Sequence, residues 1–394
     1  MILENGLMIS RPNIRCLPFL WLAVLMMFFL WGCSGDKGKE SPKLKVGIIA
    51  VTSGELFRKG SYVVAATRYA ADKVNAEGGI DISGVNHLVE LYPADSKGAA
   101  EVATQLALRL IDKEKVSVIV GGVSSSVALA IAAVCEEKKV PFITPVASST
   151  ELTKFKYSFR VSYTNYVQAA AIASFVSKDL NRESVAVLYG ADNPYSVELA
   201  TLFKKNYEND GGTVVAFENY PEGAREYGKQ LKRIIKAHPE ILFLPNNTKK
   251  IQIQAINARQ LGFKGLLLGG DSWDPVDLLR NAVFNGCYFA DHWFPGLSIP
   301  GAADFEAGYK KKNGVDATEV EALSYDAIMS LFAAVRYANS TDPVAIRRGL
   351  IDMPPYAGVT GKFNYNNNGD PDKDVFISNI KNGKVVLSDT IFTK

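Results

Sequence analysis

The sequence predicts an α/β protein built from two doubly wound parallel-sheet halves. Three observations carry that expectation. Short β-branched runs alternate with helical stretches of roughly 10–15 residues, the grammar of βαβ units and a parallel sheet. The alternation begins at Lys43 and begins again near Ser184. The chain's 394 residues also exceed what one hydrophobic core usually serves.

In the first half, Leu44–Ala50 reads as a buried strand. Gly60 to Ala76 has helical spacing at Val63, Val64, Thr67, Ala70 and Val74, and Glu77-Gly78-Gly79 stops it. His87–Tyr92 is a second strand, and Ala99–Lys113 a helix with a Val102, Leu106, Leu110 stripe. Val116–Val120 is a third strand ending in Gly121-Gly122, followed by a helix over Ser126–Glu137 and a strand over Val140–Thr144. In the second half the strands are Ser184–Tyr189, Thr213–Phe217, Glu240–Leu244 and Gly265–Gly269, with helices over 197–209, 225–237 and 249–261. The remainder does not begin a third domain. Gly286–Ala290 is a strand, 302–312 and 321–338 are helices, and Gly361–Tyr365 with Asp374–Lys381 form a hairpin-rich end. These pieces must pack onto the two halves.

The first segment differs in kind. Arg11 and Arg15 precede an apolar run from Leu17 to Trp31, about the length of a signal h-region and short for a membrane span. It ends in Leu30-Trp31-Gly32-Cys33 and passes into the polar stretch Ser34–Glu40. This resembles a bacterial lipoprotein signal, which implies that residues 1–33 direct export, that Cys33 carries lipid and that 34–42 is a tether. A plain N-terminal membrane anchor is the competing account, and Met8 is an alternative start. Of the other cysteines, Cys16 lies in the signal, while Cys135 and Cys287 fall in different halves and are expected to stay unbridged.

Composition excludes several functions. Lys+Arg 44 against Asp+Glu 41 is too even for a nucleic-acid partner, and no basic tract interleaves with aromatics. His87, His238 and His292 show no metal-ligand spacing and read as surface or satisfied polar residues. Ser124-Ser125-Ser126 is not a G-x-S-x-G elbow, and Gly121-Gly122 lacks both the dinucleotide and the Walker patterns. No catalysis, cofactor or metal is expected.

Nearly the whole chain beyond the tether carries a further resemblance. Its first part has Thr52-Ser53-Gly54, 72–80 (DKVNAEGGI), Asp95, 118–126 (VIVGGVSSS), 141–145 (PFITP), Glu151-Leu152-Thr153 and Phe159-Arg160. Its second has Pro194-Tyr195, 260–263 (QLGF), 268–271 (LGGD), Tyr325-Asp326-Ala327, 358–361 (GVTG) and Gly369-Asp370-Pro371. In this order and spacing the chain resembles the type I periplasmic binding proteins, most closely the branched-chain amino-acid-binding components of ABC transporters. The resemblance implies two lobes joined by a three-crossover hinge, with lobe 1 at 43–163 plus 293–355 and lobe 2 at 164–292 plus 356–394. It also implies a monomer that closes on a small ligand and docks onto a membrane permease with its ATPase, on the periplasmic side of a bacterial membrane.

A free amino acid needs partners for a carboxylate and an ammonium. Ser125, after a strand and at a helix start, matches the family's carboxylate-binding serine, where free backbone N–H groups favour an anion. An N-cap is the plain alternative, above all for Ser124 and Ser126. The resemblance assigns the Ala147 carbonyl to the ammonium and the Ser148 hydroxyl to the carboxylate, with a turn cap as the alternative for Ser149. Asp271 stands where the family has a carboxylate for the ammonium, although Asp replaces the Glu of close relatives; an Asx-turn is the competing role. Phe57, Tyr195, Asn247 and Trp273 would meet the ligand's side chain. Asn247, beside Asn246, replaces an aromatic residue of leucine-type members, and an amide would go unpaired against an aliphatic ligand. A polar ligand is therefore favoured. A sensory receptor of the same fold, and a transport ligand such as a short amide, urea or an aromatic acid, remain the alternatives.

Overall fold

Runs with no exposed side chain, Val118–Gly121 and Ile241–Leu244, mark the centres of two largely parallel sheets. A strand covered on both faces by helices has no polar side to show. The computed structural model describes residues 41–54 and 56–392. The expected signal segment with Cys33, and the tether as far as residue 40, lie outside the described residues. Among the described residues no helix is long and apolar enough to cross a membrane.

The first sheet comprises β1 (Lys43–Ala50), β2 (Ile80–Ile82), β3 (Val85–Asp95), β4 (Val118–Gly121), β5 (Phe142–Thr144) and β6 (Ser158–Arg160), in spatial order β2-β3-β1-β4-β5-β6. All pairings are parallel except β2 with β3. Three helices link its strands: α1 (Phe57–Ala76), α2 (Ala100–Arg109) and α3 (Ser125–Lys138).

Next in the chain come α4 (Asn165–Ser174) and α5 (Pro194–Asn209) around β7 (Ser184–Gly190). β8 (Thr213–Tyr220), α6 (Gly228–Lys236), β9 (Ile241–Leu244), α7 (Thr248–Gln260), β10 (Leu266–Gly269), α8 (Pro275–Leu278) and β11 (Tyr288–Asp291) follow. β14 (Val375–Lys381) and β15 (Lys384–Ile391) complete this second sheet, in order β15-β14-β11-β10-β9-β7-β8. β14 runs antiparallel to β11 and to β15, so the second sheet is mixed at that edge rather than wholly parallel.

The C-terminal helices α9 (Ala302–Asn313), α10 (Glu319–Ala338) and α11 (Pro343–Asp352) return to the first lobe. Ala327, Ile328 and Leu331 of α10 share one core with Val63, Ala66 and Ala70 of α1. Cys135 and Cys287 are buried and free, in separate cores.

Two differences from the sequence reading have physical causes. Helix α4 has no single apolar face: Asn165, Gln168, Ala169, Ala171, Ile172 and Ala173 are all buried. Its buried side carries the polar Asn165 and Gln168 while Tyr166 is exposed, so the apolar period is blurred. The second concerns residues 356–365. Gly361–Phe363 (β13) pairs not with the 374–381 segment but with Tyr356–Gly358 (β12). Val359, Phe363 and Tyr365 sit in the first lobe's core, where Tyr365 packs edge-on against Phe159 at 5.2 Å. We therefore place the third crossing after Tyr365 rather than at 356.

A buried ion pair fastens that crossing. Arg160 Nε lies 2.7 Å from Asp370 Oδ1, and Arg160 Nη1 donates to the Ser149 carbonyl at 2.7 Å. Gly369 adopts φ +77°, and a Cβ there would lie 2.0 Å from the Ser158 carbonyl oxygen. Only glycine lets the third crossing lie this close to β6. Breaking a buried pair from one side strands the other charge. Asp370→Ala should cost about 3–5 kcal/mol in urea denaturation; a loss below about 1 kcal/mol would mean that the pair does not hold the crossing.

Candidate functional site

In open α/β sheets a ligand site forms beyond the carboxyl ends of the strands, and here the ends of β4, β5, β10 and β11 meet. Between them lies a cavity of about 60 Å³, bordered by Ser125, Ala147, Ser148, Tyr195, Asn247 and Asp271. Six of the eight ligand residues expected from the sequence thus come together.

On the first-lobe side the turn after β4 is tight. Gly121 has φ +141°, and a Cβ there would fall 2.0 Å from the Ile49 carbonyl oxygen. Ser124 is extended, and its Oγ accepts from the Val127 N–H at 3.4 Å, so Ser124 is the N-cap of α3. Ser126 is exposed and bonds Ser124 at 3.2 Å. Ser125 is left as the first helical residue, buried at the cavity, where first-turn N–H groups have no partner inside the helix. Ser148 is also buried, and its hydroxyl has no hydrogen-bond partner among the described residues. Ser149 caps the 3₁₀ turn 150–154 through the Glu151 N–H. The Ala147 carbonyl already accepts from Ser162 Oγ at 3.3 Å and Arg160 Nη1 at 3.5 Å, so a ligand would share it.

On the second-lobe side, Asn193 caps α5 through the Ser196 N–H, which sets Tyr195 in the first turn against the cavity. The adjacent asparagines separate in role. Asn246 is buried in a network with Ser196, Tyr220, Gln254 and the Leu188 carbonyl. Asn247 precedes α7 in the N-cap position, yet its side chain caps nothing and borders the cavity. Asp271 follows β10, is 8 % exposed, and its backbone N–H donates to Gln168 Oε1 at 3.2 Å.

Two expected residues stand elsewhere. Trp273 is 1 % exposed and belongs to the second lobe's core beside Phe284 and Phe289, with Nε1 donating to the Leu244 carbonyl at 3.0 Å. Its ring covers Gly269, where a Cβ would meet it at 2.2 Å, so the indole turns inward rather than toward a ligand. Phe57 is 52 % exposed at the start of α1 and borders an outer space of about 290 Å³ instead of the inner cavity.

Sequence reasoning missed Lys59, Asn193, Ser272, His292 and Glu319, all at the cavity. His292 is buried rather than superficial. It stacks on Tyr163 at 3.6 Å, and its Nε2 lies 3.3 Å from Asp271 Oδ2. Burial holds the imidazole below its ordinary value, so it is neutral near pH 7 and the contact requires the proton on Nε2. Its backbone N–H donates to Glu319 Oε1 at 3.1 Å. Burial first, then the Asp291 and Asp271 carboxylates, push Glu319 well above the ordinary range. The polar Asp291-His292 pair within the apolar run 287–295 was the available signal. Lys59 Nζ reaches across the cleft to the Ser272 carbonyl at 2.9 Å.

Burial likewise pushes Asp291 up to about 6, against the Ser378 hydroxyl and the Trp293 N–H that hold its charged form. A folded-state value above the unfolded one gives stability that is full below pH about 4 and is lost as pH rises through about 6. Asp291→Asn should gain on the wild type by about 2–3 kcal/mol between pH 4 and 7.5, read from urea denaturation at each pH. A gap that stays constant with pH would contradict this assignment.

Comparison with known proteins assigns the chain to a family. Residues 43–384 match the periplasmic binding protein family. A Leu/Ile/Val-binding protein homolog from Brucella melitensis is 25 % identical over 341 residues, covering 84 % of this chain and 90 % of its own. The crystal structure of a leucine-binding protein from Thermotoga maritima is 31 % identical, covers 89 % of this chain and 99 % of its own, and superposes with a TM-score of 0.81. An R. palustris ABC-transporter solute-binding protein in complex with benzoate, 20 % identical and covering 88 % and 96 %, superposes with a TM-score of 0.78. The chain belongs to the periplasmic binding proteins, in the type that serves branched-chain amino-acid ABC transporters, and is a solute-binding protein rather than an enzyme.

Proposed function

We propose that this protein is the exported, lipid-anchored receptor of an ABC transporter, closing its lobes on one zwitterionic, amino-acid-like ligand. The observation that carries the reading is the pairing of opposite poles across one cavity. Ser125 at the start of α3 and the unpartnered Ser148 hydroxyl suit a carboxylate, and the Asp271 carboxylate on the other lobe suits an ammonium. Charge-assisted hydrogen bonds of this kind contribute about 1.5–3 kcal/mol each. A ligand that needs both lobes binds the closed form better and shifts the open–closed equilibrium toward it.

Contacts between the lobes fit that motion. Arg58 of α1 pairs with Asp277 of α8 at 2.5 Å, and the Thr150 N–H donates to Glu198 of α5 at 3.0 Å. The closed form would then dock as a monomer onto a membrane permease and its ATPase. Cys33 would carry the lipid that keeps the protein at the membrane on the periplasmic side.

The benzoate-bound relative favours a second reading, an aromatic acid as ligand. Such an acid has no ammonium, so the buried Asp271 would face a second anion in a medium that screens poorly. One variant and the wild type separate the two. Asp271→Asn should lower affinity for α-amino acids by about 30-fold or more in titration calorimetry, with thermal unfolding reporting that the variant folds. Retained amino-acid affinity would sink the proposed site, and wild type that binds benzoate but no amino acid would support the aromatic-acid reading.

A further inference from the structure

The inner cavity is too small for a whole amino acid with a side chain, and its continuation shows where the rest goes. At about 60 Å³ it is less than half the roughly 150 Å³ of an engineered cavity that holds benzene. It suits an ammonium, an α-carbon and a carboxylate. The space does not end there. Leu56, Lys59 and Asn247 border both the inner cavity and the outer chamber of about 290 Å³. Together the two reach the range of small-molecule sites, about 300–1,000 Å³.

Most residues around the outer chamber carry polar groups, where leucine would need an apolar lining. Arg58, Thr248, Gln252, Asp274 and Asp277 border it, and Phe57 supplies one exposed aromatic ring. Arg58 pairs with Asp277 at 2.5 Å and lies 4.0 Å from Asp274. Lys59 and Lys249 border the chamber as well, against the same two carboxylates, so neither sign is left in large excess. The Asn247 amide stands at the neck, and among the described residues it caps no helix N–H. An asparagine in the N-cap position usually does cap. Its two donors and its acceptor are therefore available to a ligand passing between the chambers.

We infer that the ligand is an α-amino acid with an extended, uncharged polar side chain ending in a planar amide or ureido group, of the glutamine or citrulline kind. The head group fills the inner cavity. The side chain passes Asn247, and its planar end lies in the outer chamber beside the Phe57 ring. A guanidinium would have to compete with Arg58 for Asp274 and Asp277 beside Lys59 and Lys249, and an aliphatic chain would leave the Asn247 amide unpaired. This assignment rests on the amino-acid reading proposed above.

The test is a calorimetric panel on the purified protein, unfolded and refolded to strip carried ligand. It uses glutamine, citrulline, alanine, leucine, arginine and benzoate, with wild type and Asn247→Leu. Glutamine or citrulline should bind wild type about tenfold or more tightly than leucine, alanine and arginine. Asn247→Leu should cost the amide ligands about tenfold, and more than it costs alanine. Leucine, alanine or arginine as the tightest ligand would overturn the inference and leave the amino-acid reading standing. So would an equal loss for every amino acid in Asn247→Leu. Binding of benzoate with no amino acid bound would overturn both. The wild-type ranking decides the matter even where the variant folds poorly.

Discussion

A carboxylate buried at the mouth of a sheet is costly unless something positive meets it, and Asp271 sits in that position. Its neighbour His292 holds it at 3.3 Å but does not cancel its charge, because burial keeps the imidazole neutral. Asp291 and Glu319 stand close by, and both titrate above the ordinary carboxylate range for the same reason. Burial thus favours the neutral forms of Asp291 and Glu319, and the negative pole that the second lobe brings to the cleft is Asp271. The first lobe brings the opposite preference, through the helix start at Ser125. Neither lobe alone makes a site for a zwitterion.

The sheets exist, in this account, to hold those two poles apart at one spacing. Ser125 follows β4, Ser148 follows β5, Asp271 follows β10 and His292 follows β11, so each polar group stands at a carboxyl end of a strand buried on both faces. Arg160 supports the loop from beneath by holding the Ser149 carbonyl, and Asp370 ties Arg160 to the third crossing. The same loop continues to Thr150, which meets Glu198 on the opposite lobe. The loop that supplies Ser148 is thereby linked to the hinge on one side and to the closing surface on the other.

Much of this was legible in the sequence because its signals are local. Runs such as 118–121 and 241–244 are apolar at every position, which names a buried parallel strand without any partner in view. Ser125, Ser148 and Asp271 stand shortly after strand ends, and the resemblance to the family singled them out there; all three border the cavity. What stayed hidden depends on packing in three dimensions. Helix α4 buries the polar Asn165 and Gln168 and exposes Tyr166, which blurs its apolar period. Trp273 lies two residues beyond Asp271 but turns into the core over Gly269, a choice made by the space that glycine leaves. Glu319 reaches the cavity only because α10 returns from the C-terminal third to pack on α1. Asn246 and Asn247 look alike as a pair, and only the network around Asn246 separates the structural amide from the available one.

The central claim is that one ligand satisfies both poles at once. The most direct measurement compares the tightest-binding amino acid with two altered forms of it, by titration calorimetry under one set of conditions. Its N-acetyl derivative removes the ammonium, and its decarboxylated amine removes the carboxylate. Each should lose about a hundredfold or more, since each leaves one buried pole without a partner. An N-acetyl derivative that binds as tightly as the parent would contradict the claim, because Asp271 would then have no part in holding the ligand.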